Sequence, residues 1–491
     1  MLEDLSWQSC LTYALTALVG LLLFKILKHN KKNGKLPPGP RGFPLVGSLP
    51  SIGQFSERTF AKWSKLHGPI MFVRLGSSPT VVLNSLESMQ QAFIKQGHQF
   101  NGRFRSFLSE FASEKGHGIF FIDDIEDWKI QRRFGSRALA GSALQGRSLE
   151  SRILDEAEQI CDLIRSKNGK PFVLEPDLSE TISNVINDIT INRRCTDKGN
   201  ESLREYVRYV VQGFRTDGFF YILLVVAPWI RLFPPFRQLF NGMISRTKAF
   251  NDMFASFIDQ QEKGMDAKNP SGFMETFLGQ MPQKTYTKQQ LRIYIKDLLS
   301  GGTETSTTSI RWVLLYLIKN PMMQRKVHKE IDQVIGRDGQ IKYDSDLPYL
   351  KAVIQEGYRI RTAVPLTIPR RTNQDIEFMG YLIPKNTQVL GNLWAVHNNP
   401  EFWPNPEEFI PERHLDANGN FVKSDRVIPF SIGPRNCLGE NLARMEVFLF
   451  LVSFLQKFDI LPNPNDPNPT FEGTPGPVNS AKHYLMIMRE R

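Results

Sequence analysis

The chain carries the stretch Phe430-Ser431-Ile432-Gly433-Pro434-Arg435-Asn436-Cys437-Leu438-Gly439, which places one cysteine directly before an apolar helical pattern. The unpaired N–H groups and the positive dipole end at a helix N-terminus favour a thiolate. Arg435 adds positive charge that can pair with an acid, and Gly433 lets the backbone approach a flat group closely. A soft, deprotonated sulfur beside an open platform predicts that Cys437 binds iron. A buried structural cysteine is the alternative.

The longest helical pattern in the chain extends from Thr287 to Asn320. Thr287-x-x-Gln290 predicts a capping box at its start, and Asn320-Pro321 predicts its end. At ~1.5 Å per residue this helix spans roughly 50 Å, so it must cross the whole domain.

The middle of this helix carries Gly301-Gly302-Thr303-Glu304-Thr305-Ser306. Two glycines inside a helix cost about 1 kcal/mol each relative to alanine, so we expect that they serve a purpose. They leave room for a ligand to approach the backbone and allow the helix to bulge. Glu304 and Thr305 then place an acid and a hydroxyl beside the gap, as a short path for protons. A helix–helix crossing permitted by the glycines is the alternative.

Two pairs of polar side chains also stand at helical spacing. Trp128 and Arg132 are four residues apart and share a face, where they offer hydrogen-bond donors to a carboxylate. A surface stack of this indole on the guanidinium is the alternative. Glu356 and Arg359 can pair on one face, and on a protein surface such a pair contributes only tenths of a kcal/mol.

These stretches resemble the cytochrome P-450 family, in the family's motif order, from about residue 36 to the C-terminus. The cysteine stretch resembles its haem-thiolate signature Phe-x-x-Gly-x-Arg-x-Cys-x-Gly, with every fixed position filled. The long helix resembles its (Ala/Gly)-Gly-x-(Asp/Glu)-Thr-(Thr/Ser) segment. The resemblance implies a mainly α fold with small β-sheets (α+β): a triangular helical prism with a long central helix over haem b, and an N-terminal transmembrane helix. The overall pattern is similar to animal microsomal hydroxylases of drugs, steroids and fatty acids.

Site residues follow from the resemblance, position by position. It implies proton handling by Thr305 and Glu304, and iron ligation by Cys437. The implied haem-binding positions are Cys437, Arg435, Phe430, Gly433, Trp128, Arg132, Arg103 and Arg370. The implied substrate pocket comprises Gly301, Leu298, Val364, Ile368, Ile122 and Val478, under a flexible loop at Phe104–Ile122. The implied structural triad is Glu356, Arg359 and Arg413. Relatives often carry histidine in place of Arg370 and phenylalanine in place of His414.

The implied activity is insertion of one oxygen atom of O₂ into a lipophilic substrate, namely a steroid, a fatty acid or a foreign compound. Because no Gly-x-Gly-x-x-Gly follows a strand, the chain should not bind nicotinamide itself. Electrons from NADPH are therefore expected through NADPH–cytochrome P-450 reductase, with cytochrome b5 as a further candidate. The candidates for docking the acidic reductase are Lys129, Arg133, Arg137 and Arg444. The alternatives are a haem-thiolate isomerase or dehydratase, which often lacks the threonine at Thr305, and a non-catalytic haem sensor.

The N-terminal segment Leu5–Phe24 has no charged residue and is close to the length that spans a bilayer. Acidic residues precede it and lysines follow it, so the positive-inside rule places the rest of the chain in the cytosol. The same flanks disfavour a cleaved signal peptide. We expect a membrane anchor in residues 1–28, a basic and proline-rich hinge in 29–44, and a haem-binding catalytic domain in 45–491. The expected location is the endoplasmic reticulum membrane.

The formal net charge of +11 favours an anionic partner or a membrane surface. The basic residues are scattered, so nucleic acid is not expected as a partner. The four cysteines have no metal-finger spacing and no disulfide framework, which favours a reducing compartment. The strand patterns are few, at Ile70–Leu75, Thr80–Leu83, Ile376–Ile383 and Gln388–Leu390. The segment Phe219–Phe236 is too short and too broken to span a membrane. The resemblance implies that it dips into the membrane surface, and a buried core helix is the alternative.

Overall fold

Helices outweigh strands in the computed structural model, which describes residues 36–44, 46–142, 147–214, 228–266, 272–281 and 285–491. The predicted membrane anchor, the basic part of the hinge and residues 215–227 lie outside these ranges. Within them, no helix has both the length and the hydropathy needed to span a membrane. The predicted mainly α fold with small sheets is confirmed.

The elements of the described residues are as follows. The α-helices are α1 Ser56–His67, α2 Leu86–Gln90, α3 Phe107–Ala112, α4 Ile125–Arg137, α5 Leu149–Ser166, α6 Glu175–Ile191, α7 Glu201–Gly213, α8 Phe236–Gly264, α9 Phe273–Leu278, α10 Lys288–Lys319, α11 Pro321–Val334, α12 Pro348–Ile360, α13 Leu393–His397 and α14 Glu440–Lys457. The strands are β1 Ile70–Leu75, β2 Ser78–Leu83, β3 Gly102–Arg103, β4 Arg370–Arg371, β5 Ile376–Phe378, β6 Tyr381–Ile383, β7 Gln388–Gly391, β8 Phe458–Pro462 and β9 Met486–Glu490. Short 3₁₀ or π turns lie at Leu49–Ser51, Gln91–Lys95, Ala138–Ser142, Pro228–Leu232 and Pro411–His414.

A five-stranded sheet in the order β1-β2-β7-β4-β3 joins distant parts of the chain. β1 has the predicted bounds, whereas β2 starts two residues earlier than predicted, because the turn closes on Gly76 at φ +62°. The strand predicted at Ile376–Ile383 is the hairpin β5–β6. On the short antiparallel pair β3–β4, Arg103 stands directly opposite Arg370. Like charges in this position destabilise a sheet, so this pair points to an anion nearby.

The predicted central helix is α10, one residue shorter at each end than predicted. Thr287 caps its start, since the hydroxyl accepts a hydrogen bond from the Gln290 N–H at 3.0 Å. The other half of the predicted capping box is wrong, because the Gln290 side chain bonds the N–H and the carbonyl of Gly118, at 2.9 and 2.8 Å. The helix passes its glycines without a bulge. A Cβ at Gly302 would lie 1.9 Å from Ile186 of α6, so this glycine permits a helix crossing.

α10 and α14 meet at a buried polar contact between Ser306 and Glu446. The Ser306 hydroxyl donates to Glu446 Oε2 at 2.7 Å, and Oε1 has no hydrogen-bond partner among the described residues. Glu446 is 1% exposed. Because burial removes the carboxylate from water, the pKa of Glu446 rises to about 8. The side chain is therefore a neutral acid at neutral pH.

Glu446→Gln is expected to stabilise the protein at about pH 8 and to change little near pH 5. In the unfolded chain this carboxyl ionises near pH 4.5, whereas the folded protein keeps it neutral up to about pH 8. The contribution of the Glu446 carboxyl to the free energy of unfolding is fully present below pH 4.5. Between pH 4.5 and about 8 this contribution falls by about 1.4 kcal/mol per pH unit. The amide of Gln at position 446 does not ionise, so the variant does not lose this stability as the pH rises. Thermal midpoints at the two pH values check this, with the exposed Glu401→Gln as control. An equal shift at both pH values would contradict a neutral Glu446.

Candidate functional site

The cysteine stretch forms a loop, residues 430–439, that folds back on itself before α14. The Cys437 N–H donates to the carbonyl of Phe430 at 2.9 Å, which closes the loop. Ser431 and Gly433 have φ values of +62° and +81°, so the backbone is left-handed at both positions. A Cβ at Gly433 would lie 2.0 Å from the carbonyl oxygen of Phe93. Glycine is therefore required at this point of the cysteine loop.

Cys437 keeps accessible surface although protein surrounds it. The side chain is exposed, yet burial among protein atoms raises the pKa of its thiol. A group that is both accessible and desolvated lies in a recess. The predicted stabilisation of a thiolate by the helix N-terminus is wrong for the protein alone, because desolvation outweighs the hydrogen bond from Gly439 and the charge of Arg132. A metal cation bound at Cys437 would favour the thiolate, since a coordinated thiol is deprotonated.

Arg132 bonds the cysteine loop and does not pair with Trp128. Its guanidinium donates to the carbonyl and the side-chain Oδ1 of Asn436, both at 2.6 Å, and to the carbonyl of Cys437 at 3.3 Å. It lies 6.0 Å from the Trp128 ring, whereas Arg435 lies over that ring at 4.1 Å. Trp128 therefore stacks with Arg435, and joint donation by Trp128 and Arg132 to a carboxylate stays a prediction. A role of Arg132 in haem binding stays a prediction.

Three buried arginines, Arg103, Arg370 and Arg435, lie beside the loop. Each donates to backbone carbonyls, which are those of Ile368 for Arg103, of Ile432 for Arg370, and of Asn101 and Ile122 for Arg435. Each also keeps one buried nitrogen without a hydrogen-bond partner in the described part of the chain: Arg103 Nε, Arg370 Nη1 and Arg435 Nη1. Burial and neighbouring arginines lower the pKa of Arg435 to about 8 and that of Arg103 to about 10. Buried cations with unused donors indicate a binding site for an anion.

The accessible face of α10 carries Gly301 and Thr305, one turn apart. Both are half-buried, whereas most residues around them on the helix are buried. The Thr305 hydroxyl donates to the carbonyl of Gly301 at 2.6 Å. A Cβ at Gly301 would lie 2.9 Å from Cζ of Phe120, so this glycine allows the segment Phe104–Ile122 to approach. The face therefore presents a hydroxyl beside a glycine gap.

Glu304 bonds a different set of groups from Thr305. It is fully buried, and its Oε1 accepts hydrogen bonds from Thr308 at 3.0 Å and from Ser480 at 2.5 Å. Neighbouring residues point about 100° apart around a helix. Glu304 and Thr305, the predicted acid–alcohol pair, therefore bond to different partners. Sequence reasoning missed both partners. Thr308 follows Glu304 by four residues, a spacing that signals contact, whereas Ser480 is 176 residues away and no spacing reveals it.

The segment Phe104–Ile122, which we expected to be flexible, is fastened to α10. Part of it forms α3. Asp297 Oδ2 accepts hydrogen bonds from two of its backbone N–H groups, at 2.7 and 3.0 Å. Glu114 accepts one from Arg292 at 2.5 Å. Together with the bonds of Gln290, these contacts hold the segment at three points along α10.

The remaining pocket candidates divide between half-buried and buried positions. Val364 and Ile368 are half-buried, and Leu298, Ile122 and Val478 are at most 9% exposed. The N–H of Asn479 donates to the carbonyl of Ala363 at 2.7 Å, which brings Val478 beside the stretch that carries Val364. Their contact with a substrate stays a prediction.

The three residues of the predicted triad lie together, with His414 as a fourth member. Glu356 and Arg359 form a fully buried bidentate pair at 2.7 and 2.8 Å, and Arg413 Nε lies 3.5 Å from the same carboxylate. His414 Nε2 lies 3.0 Å from it. Burial alone would raise the pKa of Glu356, but the hydrogen bonds from Arg359 and His414 lower it to about 2. Sequence reasoning missed His414, because its position next to Arg413 does not show where the ring points.

These residues fit haem, a flat iron group with two carboxylates. Cys437 offers one sulfur in a recess. The three arginines offer unused donors to carboxylates. Gly433 lies against the backbone of Phe93, so it serves the packing of the loop, and its contact with haem stays a prediction.

Comparison with known proteins agrees with this fit. The family model of cytochrome P450 matches residues 37–488. Cytochrome P450 2F5 of Gorilla gorilla gorilla is 35% identical over 449 residues, which cover 88% of this chain and 89% of that protein. Cytochrome P450 2C5 of Oryctolagus cuniculus is 35% identical, with 90% and 91% covered. Cytochrome P450 2C7 of Rattus norvegicus is 34% identical, with 93% and 94% covered. The chain therefore belongs to the cytochrome P450 family and is a haem-thiolate monooxygenase.

Proposed function

We propose that Cys437 is the proximal ligand of haem b, and that the enzyme hydroxylates lipophilic compounds with electrons from NADPH. The observation that carries this proposal is the recess at Cys437 beside three buried arginines with unused donors. When bound, haem supplies the redox chemistry that activates O₂. Arg103, Arg370 and Arg435 bind its propionates, Trp128 holds Arg435 in place, and Arg132 holds the loop.

Thr305 and Glu304 are the groups that we propose to handle protons. The Thr305 hydroxyl lies on the accessible face of α10, within reach of a water or of the substrate. The Glu304 carboxyl is bonded to two hydroxyls, which can pass a proton by exchanging hydrogen bonds. Since the Thr305 hydroxyl donates to the carbonyl of Gly301, the proposed path from Thr305 to Glu304 includes water.

The proposed substrates are lipophilic. The side chains proposed to line the pocket are aliphatic or aromatic: Leu298, Ile122, Phe120, Val364, Ile368 and Val478. The carboxylate of Asp297, one turn before Gly301, already accepts two backbone hydrogen bonds. Such a lining favours apolar ligands, whose burial is driven by the hydrophobic effect. Steroids, fatty acids and foreign compounds all fit this description.

The proposed source of these substrates is the endoplasmic reticulum membrane. Trp229, Leu232 and Phe233 are 61%, 63% and 56% exposed. Large apolar side chains exposed together indicate a contact with lipid or protein. They lie in the segment Phe219–Phe236, which we expected to dip into the membrane surface. The anchor proposed in residues 1–28 would hold the catalytic domain, residues 45–491, at the same surface.

The proposed docking face for the reductase is the outer side of α4. Lys129, Arg133 and Arg137 are exposed there, and basic groups on an exposed face speed association with an acidic partner. Arg444 differs from the expectation. Its side chain is 22% exposed, pairs with Glu440 at 2.9 Å and lies 4.7 Å from the Phe430 ring. It is therefore less available for docking than Lys129, which pairs with Glu126 at 2.7 Å but is 54% exposed. Cytochrome b5 is a second candidate partner for this face.

The test is reconstitution of the purified holoenzyme with NADPH, NADPH–cytochrome P-450 reductase and lipid. Lipophilic compounds are first screened for a spectral shift of the haem, and those that bind are then tested for turnover. We expect NADPH consumption linked to substrate, and a hydroxylated product that carries one oxygen atom from isotope-labelled O₂. Spectrally intact enzyme that gives no product with any bound compound would contradict the proposed function.

Thr305→Ala is expected to uncouple NADPH consumption from product formation. The product formed per NADPH should fall on the order of tenfold, with more peroxide released, because a positioned proton donor is lost. The matched control is Thr307→Ala, which removes the same type of hydrogen bond, at 2.8 Å to the carbonyl of Thr303, from a buried position. Equal uncoupling in both variants would show a general effect on α10.

Arg435→Met is expected to loosen haem. A hydrogen bond to a charged group contributes about 1.5–3 kcal/mol, so haem should transfer to an acceptor protein at least about tenfold faster than from the wild type. Arg371→Met is the control, because Arg371 is partly exposed and pairs with Asp123. Similar rates of haem transfer from the two variants would contradict the proposed binding of a propionate by Arg435.

A further inference from the structure

His397 is a fully buried histidine that the proposed mechanism does not use. It is the last residue of α13 and has no accessible surface. Its Nε2 lies 2.8 Å from the backbone N–H of Ile428, and its Nδ1 lies 2.5 Å from Oγ1 of Thr362. Both ring nitrogens are thus engaged, on opposite sides of the imidazole. The charged groups that face it are Arg359 and Glu356.

The contacts of His397 determine its tautomer. A backbone N–H can only donate, so Nε2 accepts from Ile428 and carries no proton. In a neutral imidazole Nδ1 then carries the proton and donates to Thr362. The Thr362 hydroxyl in turn donates to the carbonyl of Tyr358 at 2.9 Å, at the end of α12. The ring therefore connects α12 to Ile428 in one fixed orientation.

Ile428 lies two residues before the cysteine loop. Its carbonyl accepts a hydrogen bond from the N–H of Ser431 at 3.0 Å, and the carbonyl of Phe430 accepts one from the N–H of Cys437 at 2.9 Å. The backbone of His397 is fixed as well. Its carbonyl accepts a hydrogen bond from Arg359 at 2.9 Å, and Arg359 in turn donates to Glu356. A continuous set of hydrogen bonds thus leads from the buried Glu356–Arg359 pair to the start of the cysteine loop.

We propose that His397 is a positioning residue of the cysteine loop, which fixes Ile428 and thereby the place of Phe430 and Cys437. This inference rests on the proposed role of Cys437 as the iron ligand. Without the acceptor at Nε2, the buried N–H of Ile428 has no partner, and the loop loses the contact that holds its entry. His397 does not touch haem or substrate.

The test compares four purified holoenzymes: wild type, His397→Gln, His397→Asn and His397→Phe. Gln places an acceptor near the position of Nε2 and should keep the bond to Ile428, whereas Asn is too short to reach it and Phe has no acceptor. The readout is the ferrous carbonyl spectrum, followed as the red-shifted Soret band converts to the form without thiolate ligation. The control is His328→Phe, at a second buried histidine, which faces Asp459.

We expect conversion on the order of tenfold faster in His397→Phe and His397→Asn than in wild type, and a rate near that of wild type in His397→Gln and His328→Phe. Where His397→Phe retains no haem, the comparison of Gln with Asn decides the question. Conversion of His397→Asn no faster than that of His397→Gln would overturn the inference. A wild type that lacks the red-shifted band would instead refute the ligand role of Cys437.

Discussion

Cys437→His is expected to abolish the red-shifted Soret band of the ferrous carbonyl form, together with monooxygenase activity. That band requires a thiolate ligand, and an imidazole in its place donates less electron density toward O–O cleavage. Among the three cysteines that the structure describes, Cys437 is the exposed one, in a recess beside buried arginines. The loss should be complete, because Cys437 is the one cysteine of the loop, residues 430–439, and no second thiol there can replace it.

The control for this prediction is Cys161→Ala. Cys161 is a buried thiol in α5, and burial raises its pKa to about 12, so it is an inert structural residue. This variant should retain the band and the activity. A red-shifted band that survives in Cys437→His would show that the iron ligand lies elsewhere in the chain.

Glu356→Gln is expected to cost about 3–5 kcal/mol of stability, since it leaves the buried Arg359 without its partner charge. Both side chains of this pair have no accessible surface, and the carboxylate also accepts from the N–H of Ile410. A loss of this size is a large share of the stability of a protein. We therefore expect a much lower thermal midpoint and poor retention of haem, measured on protein expressed at low temperature.

An exposed ion pair gives the contrast for Glu356. Lys326 and Glu412 lie 2.8 Å apart, with side chains 56% and 46% exposed. Surface pairs contribute about 0–1 kcal/mol, so Glu412→Gln should leave the thermal midpoint nearly unchanged. If Glu356→Gln were as mild as Glu412→Gln, the buried cluster would not hold the core together.

The sequence predicted elements well wherever a local signal marked their ends. α10 was predicted to within one residue at each end, because Thr287 is a capping residue and Asn320 precedes a proline. β1 was predicted without error, since its apolar run ends at a glycine turn. The cysteine loop was predicted from the fixed spacing of its glycines, arginine and cysteine.

Contacts between distant parts of the chain could not be predicted from spacing. Arg103 and Arg370 become cross-strand neighbours only when β3 and β4 pair. The ring of His414 points to Glu356, from a short 3₁₀ turn that gives no periodic signal. The tendency of Cys437 to ionise was misjudged, because the sequence shows the helix start but not the desolvation that opposes it.

The short C-terminal stretch that includes Val478 and Ser480 ties two properties of the enzyme to one piece of backbone. Val478 is a proposed pocket residue, and Ser480, whose N–H donates to the carbonyl of Val478 at 3.1 Å, bonds the carboxyl of Glu304. A substitution in this stretch that allows a new compound to bind also moves the Ser480 hydroxyl, which bonds the Glu304 carboxyl. We therefore expect substitutions in this stretch that widen the substrate range to increase the NADPH consumed without product, unless a second substitution restores the position of Ser480.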